Sequence, residues 1–315
     1  MTLQLSGADV ERLLTPDACI AAVEHAFREH ALGHIPTPGI LGMHAPSGSF
    51  HVKAGFITTD RAYFAAKINA NFPANVSAGL PTIQGAIVLF DASNGEVLAI
   101  MDSIAITALR TAAASAIAAK HLARSRCETL LLCGCGGQGA AQLRSMLAVR
   151  EPARILVFDQ DVDRAQRFAS SMGAGLGKEI VVARDLATAV TASDLIITCT
   201  TARRFFITRE MVRPGTFIAA VGADNEEKQE IDPQLMAAAK VVTDLTDQAA
   251  RIGDLHHAID AGVMSAADVH AQLGELIAGL KRGRENDDEV TVFDSTGTGL
   301  QDVAAAVAVY RSAIS

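Results

Sequence analysis

The first candidates for chemistry in this 315-residue chain are a lysine, an arginine and an aspartate. Lys67 stands among small and apolar residues, Ala65-Ala66-Lys67-Ile68, in a segment that reads as a strand. An ammonium there can polarise a carboxylate or an imine, and burial would lower its pKa toward proton exchange. The plainer alternative is an edge-strand lysine that blunts aggregation. Arg110 follows an apolar stretch and starts a long helix. Its planar fork can hold a carboxylate in two parallel hydrogen bonds, or it can pair with a local acid such as Asp102. Thr82 and Gln84 alternate on one strand face and could add neutral hydrogen bonds to the same pocket. Asp224 lies just past the strand-like run Thr216 to Val221, at the carboxyl end where open parallel sheets bind ligands. A carboxylate beside an amine can take its proton or activate water. By itself, Ala223-Asp224-Asn225 also reads as an ordinary turn. Thr200 ends the strand-like Leu195 to Thr198 in the same way, placed either to touch a nucleotide or simply to turn the chain.

A second chemistry is phosphate binding. The run Leu130-Leu131-Leu132-Cys133-Gly134-Cys135-Gly136-Gly137-Gln138-Gly139 reads as a buried strand turning through a glycine-rich loop into a helix, Ala140 to Val149. Gly134, Gly136 and Gly139 have the G-x-G-x-x-G spacing of a dinucleotide fold: one glycine for the tight turn, one for approach to a pyrophosphate, one for close helix packing. The helix N-terminus, with Gly137 and Gln138 before it, offers N–H groups and a positive dipole end to phosphate. A strand, Arg154 to Phe158, follows one helix later and ends in Asp159. That acid sits roughly 20 to 25 residues past the first glycine, where a carboxylate binds the ribose hydroxyls of NAD. Gln160 and Asp161 come next, so NAD is expected over NADP, with Arg164 the nearest downstream cation. Cys133-Gly134-Cys135 has the wrong spacing for a metal site, and none is expected.

Helical periodicity covers Ser6 to Leu32, with Thr15-Pro16-Asp17 as a start signal. Gly33 to Ser49 reads as loop with short strand. Phe50 to Phe56, Tyr63 to Ala70, Ile83 to Asp91 and Val97 to Met101 read as strands, the last two joined at Ser93-Asn94-Gly95. From the alanine-dense helix Ala112 to Leu122 onward, strands and helices alternate, which predicts a doubly wound parallel sheet. The fold class is therefore α/β: a Rossmann-type parallel sheet plus a strand-rich α+β substrate and dimerisation domain. The expected division is 1–112, completed by the apolar helix in 300–315, and 113–299 for the NAD-binding domain. Half the residues are hydrophobic, a fifth are charged, and the net charge is -8. That describes a soluble globular protein and argues against nucleic acid and anionic membranes as partners. No run reaches the roughly 18 to 20 apolar residues of a membrane span. Met1 to Val10 lacks a basic start and a long apolar core, so no signal peptide is expected. Five cysteines, an odd number in mostly apolar contexts, suggest reduced thiols in a cytoplasm. His256-His257 reads as surface, and Asp254 and Arg251 as local caps or pairs.

Several separated blocks then resemble the ornithine cyclodeaminase/mu-crystallin family. They are Ala66-Lys67-Ile68-Asn69 with Pro73-Ala74-Asn75, Gly79-Leu80-Pro81-Thr82-Ile83-Gln84-Gly85, Thr107-Ala108-Leu109-Arg110-Thr111-Ala112, Val221-Gly222-Ala223-Asp224, Gly274-Glu275-Leu276, Gly283-Arg284 and Phe293-Asp294-Ser295-Thr296-Gly297. The resemblance runs from about Tyr63 to Asp302. It implies that Lys67 is the active-site lysine, Arg110 the substrate carboxylate ligand and Asp224 the catalytic aspartate. Thr111, Thr200, Ser295 and Gly297 are expected to add cofactor contacts. One departure stands out. Many members carry a second carboxylate-binding arginine after a proline pair, where this chain reads Pro36-Thr37-Pro38-Gly39, and Lys53 replaces a usual methionine fourteen residues before Lys67. Lys53 is thus a candidate second carboxylate ligand, against the alternative of a solvent-facing strand lysine. The resemblance implies NAD-dependent conversion of L-ornithine to L-proline and ammonia by internal hydride transfer. The alternatives are NAD(P)H-dependent reduction of a cyclic imino acid such as pyrroline-2-carboxylate, an alanine dehydrogenase-like reaction, or, in another class, non-enzymatic ligand binding as in mu-crystallin. It also implies a homodimer built through the strand-rich domain.

Overall fold

Period-two alternation in the first hundred residues produces one mixed sheet. The computed structural model describes residues 2–315, save the side chain of Val76. Its chain divides into two units, Met1–Ala113 with Thr298–Ser315, and Ala114–Gly297. The first unit begins with β1 (Leu3–Leu5), α1 (Gly7–Leu13) and α2 (Pro16–Ala31). Then come β2 (Gly39–Ala45), β3 (Gly48–Thr58), β4 (Ala62–Asn71), β5 (Ile83–Asp91), β6 (Val97–Asp102) and α3 (Ser103–Leu122), whose C-terminal half belongs to the second unit. The sheet order is β1-β6-β5-β4-β3-β2. Thr15 caps α2 through Ala18 N–H, with Pro16 in the first turn, as the start signal predicts. The segment read mainly as loop contains β2, seven residues paired along β3. Its glycine and histidine content hides the alternation, and pairing with β3 supplies what propensity does not.

In the second unit, β7 (Thr129–Cys133), α4 (Gly139–Leu147), β8 (Arg154–Phe158), α5 (Val162–Leu176), β9 (Ile180–Val182), α6 (Leu186–Thr191) and β10 (Leu195–Thr198) alternate. Next are β11 (Arg203–Ile207), β12 (Phe217–Ala220), β13 (Gln229–Ile231), α7 (Pro233–Ala238) and β14 (Lys240–Thr243). The unit ends with α8 (Thr246–Ile252), α9 (Asp254–Asp260), β15 (Ala271–Gln272), α10 (Leu273–Ile277) and β16 (Thr291–Asp294). Eight parallel strands run in the order β15-β14-β16-β12-β10-β7-β8-β9. The chain leaves β7 toward β8 on one side and returns to β10 on the other, so the loop after β7 opens at the switch point where such sheets bind ligands. β7 and β10 are buried along their whole length, as a sheet covered on both faces requires. The small sheet of β11 and β13 is too short and polar to show in the sequence.

The last helix, α11 (Gly299–Ile314), returns to the first unit and packs on β3, β4 and α2. Two glycines permit that approach: a Cβ on Gly55 would lie 2.8 Å from Gly299 O, and one on Gly299 2.4 Å from Ala54 O. The start of α11 therefore rests directly on the sheet beside Lys67. The opposite face of the same sheet carries Leu41, Met43, Phe50, Phe56, Ile68 and Ile100, all exposed.

Candidate active site

β4 lies inside the sheet rather than at its edge, so Lys67 is no edge guard. Its side chain is 3% exposed and donates to Asp302 Oδ1 at 2.8 Å. Arg110 Nε lies 2.9 Å from the same oxygen, close enough for an ion pair but not aligned as a hydrogen bond. Arg110 Nη1 donates to Gln301 Oε1 at 2.7 Å, while Nη2 takes part in neither contact. Asp302 Oδ2 and Gln301 Nε2 are buried with no hydrogen-bond partner among the described residues. Asp102, the local acid considered for Arg110, instead caps α3 through the N–H groups of Ile104 and Ala105.

Lys53 joins this cluster. It is 9% exposed, and the register of β3 and β4 sets it directly opposite Lys67, which puts both side chains on one face. The charges act on one another. Burial brings Lys67 down to about 7, with the charges of Arg110 and Lys53 pushing the same way and Asp302 opposing. Burial would raise the Asp302 carboxyl, but Lys67, Arg110 and Lys53 together hold it below the usual range. Three cations around one carboxylate form a site for an anion, with one member able to lose a proton near neutrality.

The register corrects one expectation. Gln84 pairs with Ala70 while Lys67 pairs with Ile87, so Gln84 points to the face opposite the cation cluster. Alternation within one strand cannot say which face meets the pocket, and here parity excludes Gln84. Thr82 lies just outside β5, where its carbonyl accepts from Phe72 N–H at 2.8 Å. Asp302 and Gln301 are the members of this cluster that sequence reasoning missed. The available signal was a polar pair opening an otherwise apolar helix, which reads equally well as a helix-start acid.

In the second unit, Gly134 has φ 106°, and a Cβ there would meet Cys199 O at 2.8 Å, so the turn demands glycine. A Cβ on Gly139 would meet Gly134 O at 2.8 Å, which is the close helix packing expected. Gly136 and Gly137 are exposed with open space around them, leaving backbone N–H groups accessible to a phosphate. Gln138 precedes α4 with no side-chain cap bond. Asp159 Oδ2 accepts from Cys135 N–H and Oδ1 from Asp161 N–H, each at 2.9 Å, while Arg164 stands 3.8 Å away. This cradle and its pre-aimed carboxylate fit a dinucleotide with a free ribose diol.

Asp224 is exposed, with Lys228 at 2.7 Å. Thr200 turns its hydroxyl onto Glu230 at 2.7 Å, so that group holds the loop. Thr111 and Ser295 are buried, and Gly297 N–H donates to Asp244 at 2.6 Å. Asp254 is no local cap. It is fully buried and accepts from Glu230 and Ile231 N–H, more than twenty residues away. His257 is half-buried with Nε2 2.9 Å from Lys228 O, so it is not plain surface.

A model of the ornithine cyclodeaminase/mu-crystallin family matches residues 2–315. An alanine dehydrogenase of Archaeoglobus fulgidus is 37% identical, covering 100% of this chain and 96% of its own. An iminosuccinate reductase of Paracoccus denitrificans is 34% identical over 99% and 96%. Among solved structures, an archaeal alanine dehydrogenase dimer with bound NAD has a TM-score of 0.95 at 37% identity, covering 99% and 96%. A Thermococcus litoralis pyrroline-2-carboxylate reductase in complex with NADH and L-proline has 0.94 at 33%, over 99% and 98%. A lysine cyclodeaminase has 0.85 at 30%, over 99% and 92%.

Proposed function

The chain belongs to the ornithine cyclodeaminase/mu-crystallin family, and we propose that it is an NAD(H)-dependent oxidoreductase interconverting a small 2-imino acid and its 2-amino acid. One observation carries the reading: a buried lysine near neutral pKa, packed with an arginine and a second lysine about one carboxylate. Arg110 and Lys53 would hold the substrate carboxylate. Lys67 would then face the neighbouring imine and give it the proton that balances a hydride arriving at carbon. Asp302 keeps Lys67 and Arg110 in place and is itself shielded by them. Asp224 would serve as the second proton-transfer group. Gly134, Gly136, Gly139 and Asp159 would hold the nicotinamide nucleotide, which supplies or accepts the hydride when bound.

A cyclodeaminase is the second reading, favoured by the likeness to lysine cyclodeaminase. The oxidoreductase reading is preferred because the reductase and dehydrogenase structures score higher and because Gly39 and Lys53 depart from the ornithine pattern. The test is a substrate panel. NADH loss with pyrroline-2-carboxylate, or with pyruvate and ammonia, supports reduction. Ammonia from ornithine without net change in nicotinamide supports cyclodeamination. Neither leaves a ligand-binding role.

Lys53→Ala should lower kcat/KM for the imino acid by about 2 to 5 kcal/mol in transition-state terms, mainly through KM. NAD affinity should be unchanged, since Lys53 belongs to the other unit. Unaltered kinetics would remove Lys53 from the site.

Asp159→Ala should weaken NADH binding about ten- to hundredfold, the worth of hydrogen bonds to a charged acceptor, and relax discrimination against NADPH. Fluorescence titration with both nucleotides reads this directly. Tighter binding of NADPH by the unmodified protein would overturn the assignment.

The exposed apolar face around Phe56 and Ile68 is proposed as a homodimer interface, as one solved relative is a dimer. Light scattering should give a dimer for the native chain and a monomer for Ile68→Glu. A native monomer would contradict it.

A further inference from the structure

Glu230, in β13, is fully buried, and its carboxylate meets no cation among the described residues. It is satisfied instead by four donors. Oε1 accepts from the N–H and the hydroxyl of Thr200, each at 2.7 Å. Oε2 accepts from the Thr198 hydroxyl and from Gly222 N–H, each at 2.7 Å. Thr198 ends β10 and Thr200 lies in the loop that leaves it, and Gly222 follows β12, its parallel neighbour. One carboxylate therefore ties together the two loops leaving the carboxyl edge of adjacent strands. The contact dictates residue 222: a Cβ there would lie 2.5 Å from Glu230 Oε1 and 2.5 Å from Thr200 O. Two residues further on comes Asp224, whose N–H returns to Gly222 O at 3.1 Å.

Glu230 is itself held by other acids. Its N–H and that of Ile231 donate to Asp254 Oδ1 at 2.8 and 2.9 Å. The N–H groups of Asp254 and Leu255 in turn donate to Asp294 at 3.3 and 2.9 Å. Gly253 allows this, because a Cβ there would stand 2.5 Å from Asp294 Oδ2. The acids run as a chain from β16 through the start of α9 to β13 and so to the Asp224 loop. Four converging donors leave no place for an amide NH₂, so glutamine cannot replace this glutamate without turning donors against donors. Burying a carboxylate without a cation is costly; a purely structural tie between two loops could be built from apolar side chains.

We propose that Glu230 is a positioning residue of the reaction: acting through Gly222, it fixes the loop that carries Asp224, without touching substrate. This rests on the reading of Asp224 as a proton-transfer group.

A double-mutant cycle tests it. Glu230→Gln should lower kcat for imino acid reduction about ten- to hundredfold, the range for misplacing a catalytic group, with NADH affinity little changed. In an Asp224→Asn enzyme the same substitution should cost almost nothing further. Equal losses in both backgrounds, or an unchanged kcat in Glu230→Gln, would overturn the proposal. If Glu230→Gln does not fold, Thr198→Val removes one of the four donors at constant shape. Its smaller loss in kcat should vanish in the same way with Asp224→Asn, and a loss that persists would overturn the proposal. An Asp224→Asn enzyme with unaltered kcat is a separate result, sinking the role given to Asp224 itself.

Discussion

Replacing Lys67 by methionine should lower kcat by about 10²- to 10⁴-fold, the usual contribution of a positioned acid or base, while NADH binding stays close to native. Methionine matches the length of the stem and leaves Asp302 paired with Arg110, so the loss should not come from unfolding. The pH dependence has a definite sign. In the reductive direction Lys67 must carry the proton it gives away. Its pKa in the free protein is about 7, so kcat/KM should be full below that value and decline as pH rises through it. Oxidation of the amino acid should show the opposite limb. The charge of Lys53 depresses the Lys67 pKa, so Lys53→Met should move the kcat/KM limb to higher pH. Steady-state pH profiles of the three proteins check this. A flat profile, or a Lys67→Met enzyme with native kcat, would remove Lys67 from the chemistry.

Asp302→Ala should be the most damaging change to stability in the first unit. It strips the carboxylate from two buried cations, and removing one partner of a buried pair costs about 3 to 5 kcal/mol. Burial disfavours the charged form of Lys67, and Asp302 is what opposes this. Without it Lys67 loses its proton more readily, and the reductive limb should shift to lower pH. Asp302→Asn keeps the shape and one acceptor, so it should cost less in stability while still moving the limb. Urea unfolding and the pH profile read the two effects separately. A stability change below about 1 kcal/mol, within the scatter of a surface pair, would contradict the buried-cluster account.

Much of this was legible in the chain because local rules and the global fold agree. The strand-loop-helix from Leu130 to Val149 and the acid at Asp159 carry their spacing in the sequence, since Gly134 and Gly139 answer local steric demands while Gly136 keeps its backbone open. Lys67 and Arg110 were visible as charges in apolar company. What stayed hidden depends on contacts distant in sequence. Asp302 meets Lys67 across 235 positions and only because α11 doubles back onto β4. Alternation alone sets Gln84 beside Thr82 without a face, and only the pairing with β4 decides which face it takes. Asp254 reads as a local cap or pair, and nothing local marks Glu230, until β13 and α9 are brought against β10 and β12. Lys53 lay between these cases: its type was visible as a departure from the family pattern, but its place opposite Lys67 follows from register.

Isotope transfer tests the central claim most directly. NADH carrying deuterium at its transferable position is incubated with the protein and pyrroline-2-carboxylate, and the proline formed is examined by mass spectrometry and NMR. The account predicts one deuterium on the α-carbon of each proline, with one NADH oxidised per product. Proline formed only from ornithine, with ammonia released, the α-hydrogen retained and no net oxidation of NADH, would contradict it.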